Sequence, residues 1–338
     1  MRQLICLLLA VVVVSGCQRE ARRSPAATPR PPSNPLPSVS KPVFPKASVA
    51  QPGSAAGSLA EARKGFRTRL VRRETADEPV PPPPPNIFQV VWYPAPVGKL
   101  AAYLTPDPKD GRKRPAIIWI TGGDCNTIGD VWSPAPANND QTASAYRQAG
   151  IVMMFPSLRG GNTNPGFKEG FLGEVDDVLA AADFLAQQPY VDPNRIYLGG
   201  HSTGGTLALL VAECSDRFRA VFSFGPADDV RGYGREFLPF DLSNPREIEL
   251  RSPGRWLHAI KSPTFVFEGT VNSNIQSLQN MARSCTNPNV RFLPVPGADH
   301  FSVLAPTNRL IAEKILRDTG PTCNLNFTPE ELRKLFAK

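Results

Sequence analysis

The stretch Gly200-His201-Ser202-Thr203-Gly204 constrains this chain more than any other. It follows an apolar run, Arg195-Ile196-Tyr197-Leu198-Gly199, and leads into Thr206-Leu207-Ala208-Leu209-Leu210-Val211-Ala212. The first run reads as a buried strand and the second as a buried helix. A serine between the two must sit on a sharp turn, with its hydroxyl projecting from the edge of a sheet. Glycines flank it because a Cβ there would strike the adjoining strand and helix. Gly205 extends the small-residue run and lets the helix pack close. A Gly-x-Ser-x-Gly alone says little. Between a strand and a helix it predicts a nucleophile held on a strained elbow.

Strands and helices alternate on both sides of this elbow. Residues 88–92 and 100–104 read as a first pair of strands, and 116–120 and 150–155 as continuous apolar strands buried on both faces. Residues 174–187 read as a helix with Val175, Val178, Leu179, Ala182 and Leu185 on one stripe. Later strands are expected at 220–224, 264–267 and 290–295, and a closing helix at 306–316. Such alternation predicts an α/β fold, a mainly parallel sheet with helices on both faces.

The N-terminal quarter has a different composition. Met1-Arg2 supplies a positive start, residues 4–14 are apolar, and Val14-Ser15-Gly16-Cys17 closes the run. The run is too short to span a bilayer, which takes about 20 residues. Its end differs from an Ala-x-Ala-like secretory site and resembles the bacterial lipobox. That resemblance implies a signal peptide at 1–17, cleavage before Cys17, and lipidation of its thiol. It places the chain in the bacterial cell envelope, facing the periplasm, and Gln18 after the cysteine points to the outer membrane. Residues 18–85 hold 15 of the 37 prolines. Such a composition cannot bury a core, so a disordered N-terminal tether is expected. It carries 12 Lys and Arg against 5 Asp and Glu, whereas residues 86–338 carry 25 of each sign. The net charge of +8 therefore belongs to the N-terminal part. Without a basic patch on the folded part, nucleic acid is not an expected partner. Within the tether, Ser58 with Glu61 forms a capping-box pattern, and Leu59, Ala62, Phe66 and Leu70 follow at helical spacing. A short helix at 59–73, docked on the domain, is expected, and prolines 81–85 read as a stiff spacer.

Arg159-Gly160-Gly161, Gly173-Glu174-Val175-Asp176-Asp177 and Tyr190-Val191-Asp192-Pro193 lead into the elbow and Gly205. With it they resemble the prolyl oligopeptidase-like serine hydrolases, related to dipeptidyl aminopeptidases and acylaminoacyl peptidases, within the α/β-hydrolase superfamily. The resemblance covers about residues 86–319 and implies a catalytic domain over 86–338. It implies Ser202 as nucleophile and, as base, His300 in the loop after the last strand. His201 adjoins the nucleophile and should point away from it, and His258 lies in a connecting segment. The acid departs from the family pattern, because Asn272 stands where the aspartate is expected. Glu268 and Asp228 are the candidate acids, with Asn272 as an orienting group. Asp299 adjoins His300 but should not reach its ring. Oxyanion donors are expected from the Thr203 N–H and from Gly123 or Asp124 in Thr121-Gly122-Gly123-Asp124-Cys125.

An insertion at about 226–262 reads as a cap, whose arginines could bind an acidic substrate group or pair with Glu236, Glu247 and Glu249. Cys125, Cys214, Cys285 and Cys323 permit three pairings, of which Cys285–Cys323 would pin the C-terminal segment. With three histidines and no Cys-x-x-Cys, no metal site is expected, and no cofactor is implied. The expected activity is cleavage of an ester or a small peptide or amide bond through an acyl-enzyme. The competing expectation, prompted by Asn272, is a catalytically weak or inactive binding lipoprotein.

Overall fold

The computed structural model describes residues 57–337. The signal peptide, Cys17 and the first part of the expected tether lie outside them. Eight strands form one sheet in the order β1-β2-β4-β3-β5-β6-β7-β8. These are β1 (Gln89–Ala95), β2 (Gly98–Leu104), β3 (Arg114–Ile120), β4 (Val152–Pro156), β5 (Val191–His201), β6 (Val221–Phe224), β7 (Thr264–Gly269) and β8 (Val290–Val295). The β1–β2 and β2–β4 pairs are antiparallel. All pairs from β4 through β8 are parallel.

The apolar runs read from the sequence become strands because both faces of the sheet are covered. In β3, Ala116, Ile118 and Ile120 join one core cluster, and Ile117 and Trp119 join the other. The first cluster lies under α1 (Leu59–Arg63), α3 (Glu174–Ala186), α4 (Thr203–Cys214) and α6 (Ile275–Ser284). The second lies under α7 (Leu304–Arg317) and α8 (Pro329–Lys334), and Tyr146 of α2 (Ser144–Gln148) packs in it. Helix α4 is buried from Gly204 to Glu213, which explains its almost wholly apolar sequence. Chain order reverses on either side of β3, since β4 flanks one edge and β5 the other. Such a switch opens a crevice at the carboxyl ends of the strands, where ligands bind in open α/β sheets. The loop after β3 and the elbow after β5 both emerge there.

Two expectations need correction. Residues 57–85 are not part of a free tether but a strap packed on the domain. Ser58 caps α1, and Leu59 and Ala62 are buried. The helix ends at Arg63, short of the expected 73, because the backbone leaves helical geometry at Lys64 (ψ 125°) and turns left-handed at Gly65 (φ 74°). Arg63 itself holds α3 through both oxygens of Asp176, at 3.1 and 2.7 Å, and the Leu172 carbonyl at 2.8 Å. Beyond it Leu70 forms an antiparallel bridge with Phe240, the Ala76 N–H donates to the Gly160 carbonyl at 2.8 Å, and the Tyr103 hydroxyl to Pro81 at 2.7 Å. The second correction concerns the disulfide. All four cysteines of the described residues are free. Cys285 packs on the first cluster and Cys323 on the second, so the sheet lies between them.

The insertion at 226–262 folds as short 3₁₀ turns around α5 (Pro245–Glu249). Three of its arginines are taken up locally, by Arg231–Asp229 at 2.7 Å, Arg246–Glu249 at 2.8 Å and Arg251–Glu247 at 2.5 Å. The last pair is wholly buried, with Arg251 also over the Phe240 ring at 4.0 Å. The strap completes it. Thr68 donates to Glu247 and accepts from Arg251 at 2.8 Å, and the Arg69 N–H donates to Glu247 at 2.7 Å.

Candidate active site

Ser202 has φ 54° and ψ −113°, a backbone conformation that a side chain rarely adopts. The elbow is held by the Ser202 N–H, which donates to the Phe224 carbonyl of β6 at 2.7 Å, and by the first turn of α4. Gly204 is required by close approach: a Cβ there would lie 2.7 Å from the Thr121 carbonyl oxygen. The serine side chain consequently stands at the carboxyl end of β5, beside the loop that follows β3.

His300 lies in the loop after β8, and its Nδ1 lies 3.2 Å from Oε2 of Glu268 at the end of β7. The Glu268 side chain is fully buried, and His300 is 14 % exposed. The other Glu268 oxygen accepts the Gly269 N–H at 3.0 Å. Gly225, just past β6, makes room for this pair. A Cβ there would run into Glu268 Oε2 and lie 2.5 Å from His300 Cε1. Among the described residues no hydrogen bond joins Ser202 Oγ to His300; such contacts are often loose until substrate binds.

The other acid candidates lie elsewhere. Asp228 accepts from Ser277 at 2.8 Å and Asn280 at 2.9 Å, and so holds α6 instead of His300. Asn272 is exposed, with φ 46°, and makes no bond to the imidazole. Glutamate is one methylene longer than aspartate, so an acid on the strand end reaches the ring without the following loop. Asp299 accepts the N–H groups of Phe301 and Ser302 at 2.9 and 2.7 Å, which turns it toward the backbone. His258 is exposed and lies against Trp256.

The Thr203 N–H is at the first position of α4, where no helical carbonyl can accept it. Its hydroxyl donates to the Gly123 carbonyl at 2.9 Å, which ties the loop after β3 to the elbow. Gly123 takes a left-handed φ of 77°. The Asp124 carboxylate pairs with Lys168 at 2.7 Å, so its side chain is held back while its N–H stays on the loop. These are the positions expected for two oxyanion donors. Among the described residues His201 makes no hydrogen bond to Ser202; it is wholly buried and hydrogen-bonded on both ring nitrogens. Sequence reasoning missed that, as it missed Gln141, because nothing local links residues 60 positions apart.

A cleft of about 590 Å³ lies between the strap and the start of α3, away from Ser202. Its Arg63 and Arg159 are already paired with Asp176 and Glu169. Among the described residues, no group of three or more His, Cys, Asp and Glu is placed to hold a metal ion. None of the described helices is long and apolar enough to cross a membrane.

The sheet order and the elbow define the α/β-hydrolase fold. Residues 138–315, more than half of the chain, match the prolyl oligopeptidase family, and the chain belongs to that family. It is 29 % identical over 237 residues to dipeptidyl-peptidase 5 of Porphyromonas gingivalis, covering 62 % of this chain and 33 % of that protein. It is 24 % identical over 251 residues to the acylamino-acid-releasing enzyme of Rattus norvegicus, covering 64 % and 32 % respectively. The chain thus spans about a third of the length of these two relatives. Among solved structures, a puromycin-hydrolyzing peptidase of Mycobacterium tuberculosis shares the fold with a TM-score of 0.55 at 20 % identity, over 71 % of this chain and 40 % of that one.

Proposed function

We propose that the protein is a serine hydrolase that cleaves a peptide or small amide bond, or an ester, through an acyl-enzyme at Ser202. The observation that carries this reading is the buried Glu268 carboxylate 3.2 Å from His300 Nδ1. A carboxylate there holds the imidazole with Nδ1 protonated, leaving Nε2 to take the Ser202 proton, and stabilises the imidazolium that forms. Ser202 Oγ then bonds to the carbonyl carbon, and the charge on the carbonyl oxygen is met by the N–H groups of Thr203 and of Gly123 or Asp124. His300 returns the proton to the departing amine or alcohol. Water, activated by the same base, releases the acid and frees Ser202. The competing reading as an inactive binding protein rested on Asn272, and with Glu268 paired to His300 that argument falls away. The relatives' names, dipeptidyl-peptidase 5 and acylamino-acid-releasing enzyme, support an amide substrate; an ester is chemically easier and fits the same groups.

The test is labelling with a fluorophosphonate, followed by a screen of acyl esters beside aminoacyl amides. Wild-type protein should label and Ser202→Ala should not. No labelling of the wild type, or equal labelling of both, overturns the proposal. Lipid anchoring in the cell envelope with the domain facing the periplasm is part of the same proposal, supported by Val14-Ser15-Gly16-Cys17. Incorporation of labelled palmitate that persists in Cys17→Ser would refute it.

A further inference from the structure

An unbroken chain of hydrogen bonds runs behind the site, from the loop after β3 to the loop after β8. The Gly122 N–H donates to Oε1 of Gln141 at 3.1 Å. That bond sets which end of the Gln141 amide faces which way. Its Nε2 therefore points the other way, with one contact to Asn139 Oδ1 at 2.9 Å and one to His201 Nδ1 at 2.8 Å. An amide nitrogen only donates, so Nδ1 of His201 accepts, and the neutral ring carries its proton on Nε2. Nε2 lies 2.9 Å from the main-chain oxygen of His300, which only accepts. Every link thus has one donor and one acceptor, and a single tautomer satisfies the whole chain.

His201 is fully buried, with its ring centroid 4.5 Å from that of His300. Burial above all, and then the neighbouring His300, pushes its pKa down to about 3. A protonated His201 would face the Gln141 NH₂ with a second donor. It would also set a cation beside the imidazolium that His300 becomes during the reaction.

We infer that His201 is a positioning residue: with Gln141 it forms a neutral strut that holds the loop carrying His300 and the loop carrying the second oxyanion donor in one fixed relation to Ser202. The inference rests on the serine-hydrolase reading and deepens it. The His300 ring is aligned at one end by Glu268, but the position of its backbone is set by His201. Misplacing a reacting group by about 1 Å costs on the order of a hundredfold in rate.

The experiment compares wild type, His201→Phe, His201→Gln, Gln141→Leu and the double variant Gln141→Leu/His201→Phe. Each is assayed with an activated acyl ester at pH 8 after its melting temperature is recorded. Phenylalanine fills the ring space but makes neither bond, and should lower kcat about ten- to a hundredfold with little change in KM. Glutamine retains an N–H for the His300 carbonyl and should recover most of the loss. Because both residues serve one strut, the double variant should be no slower than His201→Phe alone. A folded His201→Phe with wild-type kcat overturns the inference, as does a glutamine variant as slow as phenylalanine. If His201→Phe does not fold, half-exposed Gln141 carries the test, and wild-type kcat in Gln141→Leu is the overturning result. An unlabelled wild type would instead remove the serine-hydrolase reading, and the strut's catalytic role with it.

Discussion

Replacing Glu268 with glutamine keeps the shape of the end of β7 and removes one charge. Its Oε2 stands 3.2 Å from His300 Nδ1, with no solvent on the carboxylate side. Two unit charges at that distance interact by about 5 kcal/mol at an effective dielectric of about 20. That attraction acts on the imidazolium that forms in the transition state. Its loss corresponds to a fall of nearly four decades in rate, and the known cost of neutralising a triad acid is of the same order, about 10⁴ in kcat. We therefore expect Glu268→Gln to lower kcat for an activated ester about 10³- to 10⁴-fold. Binding should change little, because Glu268 is buried beneath the ring. Asn272→Ala serves as the control: an exposed side chain with no bond to His300 should alter the rate by less than about twofold. The assay is the rate of acylation by stopped flow, with unfolding curves to confirm that both variants are folded. A folded Glu268→Gln within tenfold of wild type, or an Asn272→Ala that is the slower of the two, would refute the assignment of the acid.

Two further outcomes follow from buried charges. Arg251→Met leaves Glu247 buried without its partner and should cost about 3–5 kcal/mol in urea unfolding; adding Glu247→Leu should restore much of it, whereas equal losses in both would show that the pair is not buried as described. Glu213 is 1 % exposed with neither oxygen hydrogen-bonded among the described residues, and burial raises its pKa well above 4.5. A raised folded-state pKa stabilises below the unfolded value and loses that contribution as pH climbs toward the folded value. Glu213→Gln should accordingly melt higher at neutral pH and show a flatter fall in stability above about pH 4.5; an unchanged pH slope would refute this.

Legibility in the sequence tracked the range of the interactions. The parallel core was readable because Ala116 to Ile120 or Ile196 to Leu198 must be apolar on both faces whatever lies next to them. Ser202 was readable because its turn is built by its immediate neighbours. The acid was not settled by sequence: Glu268 stands at the end of one strand and Asp228 follows another, and only the packing of β7 beside β8 brings one of them to His300. The strap was misread for a related reason. Its prolines and arginines have the composition of a disordered tether, but Arg63 finds Asp176, and Thr68 and Arg69 find Glu247, partners more than a hundred positions away. Helices α2 and α8 went unread because five or six residues carry too little periodicity to stand out.

The backbone at Ser202 has a consequence for how this protein can change over time. Its φ of 54° and ψ of −113° impose strain of order 1–3 kcal/mol on any residue with a side chain. Glycine would relieve it, so Ser202→Gly should melt higher than Ser202→Ala while both are inert. If the two melt alike, the elbow is not strained. If they differ, the most stable sequence for this fold is one that does no chemistry, and activity sets an upper limit on the stability that the domain can reach.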